Sequence, residues 1–404
     1  MAATAGPMSA PAAPARLSFG DLGQPVLAGV LAAVVGYASS FTLVLGGLGR
    51  VGATPGEAAS GLFAMCMALF LLNVVVVWRL RIPLSFAWST PGAAFLLTLQ
   101  PIEGGFPAVT GAFLMVAALV LACGFVKPLA RAVAAIPTAI AAAMLAGVLL
   151  ELCLSPVQAV AQVPALMLPV LVAWVIGLKF ARRYAVPIAV LVAAVALVLS
   201  TSLPPGALSL TLPSLQWVAP VFTLEALVKV AVPLFVITMA SQNLTGLAVL
   251  RTNGYAVDAR VPFITTGALS ALVALFGGLT INLAAITAAL MASAEAHPDP
   301  QRRWLAPVAS GPTYLLLGLG STLAASFIAA SPPILIEAVA GLALLPSLAS
   351  ALSASLADEQ ARLPAITTFV TTASGITLLG IGGAFWGLLA GLALLLVLRA
   401  WKRS

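Results

Sequence analysis

Two short segments in opposite halves of the chain carry polar residues in the same interrupted pattern. Each begins with apolar residues at every second position and continues as a short apolar helical run. This pattern predicts a short strand followed by a half-length helix. The alternating polar residues are Ser85 and Ser89 in segment 83–97, and Thr280 and Asn282 in segment 277–291. In a very hydrophobic chain, a matched pair of interrupted segments is typical of a transporter's substrate site.

The start of each half-helix has the chemistry of an anion site. Thr90 precedes Pro91 and is predicted to cap the first half-helix, and Asn282 is predicted to cap the second. A helix N-terminus carries about half a positive charge and several unpaired N–H groups. Two that face each other near the bilayer centre therefore bind an anion without Arg or Lys. The alternative is that Pro91 and the pair Gly277 and Gly278 are simple kinks in packed helices.

Further polar residues lie in the first and eighth apolar spans. They are Tyr37, Ser39 and Ser40 in the first span, and Thr238, Gln242 and Asn243 in the eighth. Because unsatisfied polar groups are costly inside a membrane, Gln242 and Asn243 either line a substrate cavity or hydrogen-bond neighbouring helices. Tyr37 and Phe86 are candidates to stack on an aromatic substrate.

Acidic residues and catalytic motifs are scarce. Glu337 lies inside a predicted span and Glu151 at the outer end of another, so both are candidates for proton coupling. The alternative for Glu337 is an interfacial carboxylate that reaches water. His297 lies in a loop that we interpret as a solvated turn and not a metal site. No Ser/His/Asp, HExxH, phosphate-loop or dinucleotide motif occurs, so the sequence predicts no enzyme, cofactor or metal site.

The elements that position these residues must cross a membrane. Hydrophobic residues make up 62% of the chain and charged residues only 7%, whereas a soluble domain has about 25% charged residues. The net charge of +7 is not clustered, so the expected partner is the lipid bilayer and not nucleic acid. Residues 1–20 are rich in Ala and Pro and are predicted to form a disordered cytoplasmic tail.

Hydropathy and charge together predict the topology. A bilayer core of ~30 Å needs about 20 apolar residues per helix. The fourteen predicted spans are 25–47, 57–78, 83–100, 105–125, 132–153, 163–180, 185–203, 224–246, 260–276, 278–292, 304–328, 332–355, 363–380 and 382–400. With both termini in the cytoplasm, every Lys and Arg except Arg50 and Lys229 falls on the cytoplasmic side, as the positive-inside rule requires.

The two halves of the chain, 21–205 and 222–404, repeat the same order of features. The third span of each half is broken, and the fifth opens near proline and carries small residues. Because each half has an odd number of spans, the second is inverted relative to the first. The predicted fold class is an all-α polytopic membrane protein with 14 spans in two inverted seven-span repeats, a secondary-transporter architecture. The alternative is chance similarity among Ala- and Leu-rich helices.

Three motifs resemble the benzoate/proton symporter family of bacterial inner membranes. They are Ser241–Gly246, Thr280–Thr287, and the loop Glu295–Pro300 followed by Arg302, Arg303 and Trp304. That family is similar in architecture to the uracil and xanthine permeases. The resemblance implies a core domain from 25–125 and 222–330 and a gate domain from 128–203 and 332–403, with the substrate between them.

The resemblance also bears on the substrate. The permeases carry acidic residues on spans eight and ten, where this chain has Gln242 and Asn282. A site without carboxylates suits a substrate that is itself a carboxylate. We therefore expect a secondary active transporter that imports benzoate or a related aromatic carboxylate with protons by alternating access.

The expected substrate-binding residues are Tyr37, Ser39, Ser40, Phe86, Ser89, Thr90, Gln242, Asn243, Thr280 and Asn282, and the proton-coupling candidates are Glu337 and Glu151. The alternative functions are a proton-coupled transporter of a nucleobase or inorganic anion, and an anion channel on the same scaffold. A homodimer is left open.

Overall fold

The structure is a computed structural model that describes residues 19–126, 128, 131, 136–200, 211–378 and 381–401. Most of the predicted tail, residues 1–18, lies outside this range, and the first helix begins at Phe19. The helices are α1 (Phe19–Arg50), α2 (Pro55–Leu80), α3 (Thr90–Thr98), α4 (Gly105–Phe125), α5 (Thr138–Gln162), α6 (Pro164–Phe180), α7 (Ala185–Ser200), α8 (Leu224–Arg251), α9 (Arg260–Ala274), α10 (Ala285–Met291), α11 (Leu305–Gly318), α12 (Ser321–Ala330), α13 (Pro333–Leu356), α14 (Arg362–Ala373) and α15 (Gly383–Trp401).

The predicted spans overlap these helices in order. The two broken segments contain short strands, β1 (Phe86–Trp88) before α3 and β2 (Ile281–Leu283) before α10. The predicted span 304–328 consists of α11 and α12, which are bent by 55°. The bend falls at Leu319 and Gly320, between the two helices.

The thirteenth predicted span is wrong at its C-terminal end. It was expected to continue to residue 380, but α14 ends at Ala373. Gly375 follows with a φ of +65°, a left-handed conformation that terminates helices. The chain then forms a two-stranded hairpin of β3 (Thr377–Leu378) and β4 (Ile381–Gly382).

Helix length and composition identify an integral membrane protein. Among the described residues, six helices are long and apolar enough to cross a membrane, or seven if the bent pair of α11 and α12 forms one span. They are α1, α2, α4, α5, α8 and α13. The helices α6, α7, α9 and α15 are apolar but shorter.

Several helices pack through glycines that allow close backbone approach. The helix α1 packs against α11 at Gly29, where a Cβ would lie 2.0 Å from the carbonyl oxygen of Ala306. The helix α5 packs against α13 at Gly341, where a Cβ would lie 2.1 Å from the carbonyl oxygen of Leu152. Further large contacts join α4 to α9 and α2 to α11. The broken segments lie among these helices and are almost fully buried.

Candidate functional site

The two broken segments pair directly with each other. β1 and β2 form an antiparallel ladder with Phe86 opposite Leu283, Ala87 opposite Asn282 and Trp88 opposite Ile281. The backbone pairing extends by one bond on each side, from the Ser89 nitrogen to the Thr280 oxygen (3.1 Å) and from the Ala284 nitrogen to the Ser85 oxygen (2.8 Å). The ladder thus joins two segments that are about 190 residues apart in the sequence and gives both a fixed register.

The register gives the ladder one polar and one apolar face. Opposite residues of an antiparallel pair share a face, and successive residues alternate between faces. The polar face therefore carries Ser85, Ala87, Ser89, Thr280 and Asn282, and the apolar face carries Phe86, Trp88, Ile281 and Leu283. On the polar face, Ala87 is partly exposed, whereas all four apolar-face residues are buried.

The half-helices begin at the two ends of this ladder, although their caps differ from the prediction. Ser89, and not Thr90, is the N-cap of α3, because its Oγ accepts a hydrogen bond from the Gly92 nitrogen (3.1 Å). The helix α10 follows Ala284 without a side-chain cap, and Asn282 lies inside β2. Both N-termini therefore lie at a three-residue ladder, which is about 10 Å long.

The helix α8 contributes polar side chains to the ladder. Thr238 donates a hydrogen bond to Ser89 Oγ (2.8 Å), and its hydroxyl lies 3.5 Å from that of Thr280. Asn243 accepts a hydrogen bond from the Leu283 nitrogen through Oδ1 (3.0 Å) and contacts Met239 Sδ through Nδ2 (3.3 Å). These contacts come from a π-helical segment of α8, Met239–Asn243, and from Thr238 just before it. Gln242 belongs to the same segment and is half-buried.

Asn282 has free hydrogen-bonding capacity in the centre of the polar face. Its Nδ2 donates to the Leu283 oxygen (3.0 Å), and the side chain is fully buried. Its Oδ1 has no hydrogen-bond partner among the described residues. A buried amide oxygen without a partner is costly unless a ligand or water pairs with it. Rotation of the amide by 180° presents its NH₂ group in place of the oxygen.

The predicted residues of α1 lie near the apolar face. Trp88 donates its Nε1–H to Ser40 Oγ (2.9 Å), and its ring makes edge contacts with Tyr37 (5.8 Å between centroids) and Tyr314 (5.9 Å). The hydroxyls of Ser39 and Ser40 donate to the Gly36 oxygen within α1. The structure therefore divides the predicted site residues into two groups, with Tyr37, Ser40 and Phe86 separated by the ladder from Asn282, Ser89 and Thr280.

Two cavities flank the ladder but are not lined by it. The larger, of about 540 Å³, is apolar and lies between α1, α7, α11 and α12, with Tyr37 and Phe41 in its wall. The smaller, of about 120 Å³, is lined by Phe95 and Thr98 of α3, Lys229 of α8, and Glu151 of α5. Although the larger cavity borders Tyr37, the polar chemistry lies at the ladder, which is enclosed in this conformation.

Several ionisable groups gather near the C-terminal end of α3. Glu337 of α13 is half-buried and lies within electrostatic range of Arg50 and Glu151. Lys229 forms an ion pair with Glu225 (2.5 Å). The two predicted proton-coupling residues are therefore near each other and near a cation, but neither contacts the ladder in the hydrogen bonds of the structure.

The loop after α10 is folded and not a solvated turn. His297 and Arg303 are 8% and 9% exposed. Arg303 donates to the carbonyl oxygens of Ala292 (2.9 Å), His297 (2.8 Å) and Pro298 (3.4 Å). Among the residues that the structure describes, no group of His, Cys, Asp or Glu side chains has the arrangement of a metal site.

Comparison with known proteins decides the family. The family model described as benzoate membrane transport protein matches residues 23–397. The chain belongs to this family of membrane transporters. Inner membrane protein YdcO of Escherichia coli (strain K12) is 37% identical over 367 residues, which cover 91% of this chain and 93% of that protein. The benzoate membrane transport protein of Acinetobacter baylyi is 30% identical over 380 residues, which cover 94% and 96% of the two chains.

Solved structures agree on the fold. The transmembrane domain of a cyanobacterial bicarbonate transporter, BicA, superposes with a TM-score of 0.63 at 18% identity and covers 93% of this transporter and 98% of that chain. The murine anion transporter Solute Carrier 26 family member A9, in an inward-facing state, gives a TM-score of 0.61 at 14% identity and covers 98% and 74%. The family match confirms that the chain is a membrane transporter and not an enzyme.

Sequence reasoning missed part of the ladder's support. Ser270 of α9 accepts a hydrogen bond from the Ile281 nitrogen (2.8 Å) and donates to the Ile281 oxygen (3.2 Å). Ser85 and Thr287 join the two segments through their hydroxyls (2.7 Å). Ser85 could be predicted as a site residue because it belongs to the alternating polar positions of its segment. Nothing in the sequence distinguishes Ser270 from other helical serines.

Proposed function

We propose that this protein is a secondary active transporter that imports benzoate or a related aromatic carboxylate with protons across the bacterial inner membrane. The observation that carries the proposal is the buried polar face of the β1–β2 ladder, at which two half-helices begin. Its polar side chains are three hydroxyls and the amide of Asn282, so a substrate carboxylate meets hydrogen-bond donors, once the Asn282 amide has rotated, and no competing carboxylate. The name of the Acinetobacter baylyi relative supports benzoate as the substrate.

In the proposed binding mode, the carboxylate lies on the polar face beside Ser89, Thr90, Thr280 and Asn282. Gln242 of the α8 π-helical segment contributes a further amide from the same side. Hydrogen bonds to a charged group are worth ~1.5–3 kcal/mol each, so a few are enough for a transported substrate. Asn243, Ser40 and Phe86, which already have partners or are buried in packing, hold the ladder in place.

The proposed architecture is fourteen spans in two inverted seven-span repeats, with both termini in the cytoplasm. The helix packing supports it. In two inverted repeats α4 corresponds to α11 and α2 corresponds to α9, so the observed contact of α4 with α9 has the contact of α11 with α2 as its counterpart. In the same way β1 corresponds to β2 and α5 corresponds to α13, so the ladder and the α5–α13 contact each join two equivalent elements. In this arrangement the core domain carries the ladder and moves against the gate domain, and Glu337 and Glu151 are the proposed proton carriers.

The test is uptake by the purified protein in proteoliposomes with an imposed inward proton gradient. We expect labelled benzoate to accumulate above its external concentration, and a protonophore to abolish the accumulation. Unlabelled benzoate should compete, whereas uracil and sulfate should not. Competition by uracil or sulfate but not by benzoate would overturn the proposed substrate.

A second candidate is an inorganic-anion transporter or anion channel. It is favoured by the fold shared with a bicarbonate transporter and with a Solute Carrier 26 anion transporter. The same proteoliposomes separate the candidates, because a channel moves anions only down their electrochemical gradient. Flux that equilibrates but never accumulates would identify a channel.

A further inference from the structure

Each of the two half-helices ends at an arginine that lies outside that helix. Leu99 is the C-cap of α3, and its carbonyl oxygen accepts a hydrogen bond from Nε of Arg50 (3.2 Å) at the end of α1. Ala292 is the C-cap of α10, and its carbonyl oxygen accepts from Nη1 of Arg303 (2.9 Å), which lies in the turn just before α11. The two half-helices thus begin at the shared ladder and end at guanidinium groups.

Both contacts are made at the C-terminus of a half-helix, and the partial negative charge of that end opposes anion binding at the N-terminus. A helix C-terminus carries about half a negative charge on its unpaired carbonyl groups. The helix α3 has nine residues and is therefore about 13 Å long. In so short a helix, the negative end partly cancels the positive potential at the N-terminus. A guanidinium group at the C-terminus neutralises the negative end and so raises the potential where the ladder lies.

The placement of Arg50 fits this role. The predicted topology puts only Arg50 and Lys229 among the basic residues on the outer side, against the general charge bias. Lys229 is paired with Glu225. Arg50 lies at the C-terminus of α3 and within electrostatic range of Glu337.

We propose that Arg50 and Arg303 are positioning residues that set the affinity of the ladder for a carboxylate, through the half-helices whose C-termini they cap. The inference rests on the proposed function, because it presumes an anionic substrate at the ladder. Neither residue touches the substrate. Arg303 is buried and also holds the carbonyl oxygens of His297 and Pro298, so its removal disturbs the loop as well. Among the described residues, Arg50 donates to one carbonyl oxygen, that of Leu99, so it is the cleaner residue to change.

The experiment measures equilibrium binding of labelled benzoate to the purified transporter. For Arg50→Gln we expect the dissociation constant to rise roughly sixfold, the effect of one charge at ~15 Å with an effective dielectric of ~20. Arg50→Lys, which keeps the charge, should restore most of the affinity. The matched control is Arg362→Gln, because Arg362 donates through Nε to the Leu356 oxygen at the end of α13, a helix that does not begin at the ladder. Its dissociation constant should be that of the wild type.

Arg50→His separates charge from structure. A histidine is charged at pH 5.5 and neutral at pH 8 when its pKa is near the usual ~6.5. The ratio of the variant's dissociation constant to that of the wild type should therefore be larger at pH 8 than at pH 5.5. The inference is overturned if this ratio is the same at both pH values, or if Arg50→Gln binds benzoate as tightly as the wild type does. In either case the proposed function stands, as long as the wild-type protein binds benzoate. Failure of the wild type to bind benzoate overturns the proposed function itself.

Discussion

The two asparagines at the ladder, Asn243 and Asn282, have different roles. Asn243 uses its Oδ1 to satisfy the Leu283 nitrogen, whereas Asn282 keeps its Oδ1 without a partner. The sequence placed both near the site through polarity in an apolar span. It assigned the caps to Thr90 and Asn282 instead of Ser89 and Ala284. A cap position depends on where the preceding strand ends, and that end is fixed by pairing with a distant segment.

Substitution of these amides should separate binding from folding. Asn282→Ala removes a buried oxygen that has no protein partner together with the Nδ2 hydrogen bond to the Leu283 oxygen. Because the loss of the costly unpaired oxygen offsets the loss of that hydrogen bond, we expect a small change in stability and a loss of benzoate uptake. Asn243→Ala leaves the buried Leu283 N–H unpaired, which costs about 1–3 kcal/mol, and should lower the thermal unfolding temperature. Uptake and unfolding of both purified variants are the measurements. Wild-type uptake by folded Asn282→Ala would remove Asn282 from the binding site.

At the scale of elements, the ladder is held by two helices, α8 and α9, whose contacts with it are not evident from the sequence. A two-stranded ladder is too short to be stable alone, and the free edge of β2 is satisfied by side chains of α8 and α9. The broken segments were predictable because their alternation and Pro91 are local signals. The pairing register and the support from Ser270 were not, because they arise from tertiary packing.

The support from α9 can be tested with two substitutions on the same helix. Ser270→Ala removes both hydrogen bonds to the Ile281 backbone and leaves buried backbone groups unpaired, so we expect a loss of about 1–3 kcal/mol in unfolding free energy. Thr266→Ala is the control, because Thr266 is equally buried but donates to the Pro262 oxygen of its own helix. Denaturant or thermal unfolding in detergent measures both. Equal effects of the two substitutions would contradict a specific role of Ser270.

At the scale of the whole molecule, the ionisable groups lie away from the proposed substrate site. Glu337 and Glu151 belong to α13 and α5, which pack closely against each other, whereas Arg50 belongs to α1 beside the ladder. The smaller cavity, of about 120 Å³, is lined by residues of α3 and α8 on one side and of α5, α14 and α15 on the other. Hydropathy and charge predicted the order of these helices along the chain. Hydropathy does not report which helices touch, so the grouping of Glu337 with Arg50 required the structure.

This separation predicts that proton coupling can be removed without removing substrate binding. Glu337→Gln keeps the size of the side chain but cannot exchange a proton, so we expect accumulation driven by the pH gradient to fall at least tenfold. Exchange of labelled for unlabelled benzoate, which needs no net proton movement, should persist in the same proteoliposomes. Glu151→Gln is tested in parallel to find which of the two carboxylates carries the proton. The coupling residue is the one whose substitution abolishes accumulation but leaves exchange intact. If both variants accumulate benzoate as the wild type does, the proton travels by a group outside the Glu337–Arg50–Glu151 cluster. If both lose exchange as well, the cluster is needed for the movement of the core against the gate and not for coupling alone.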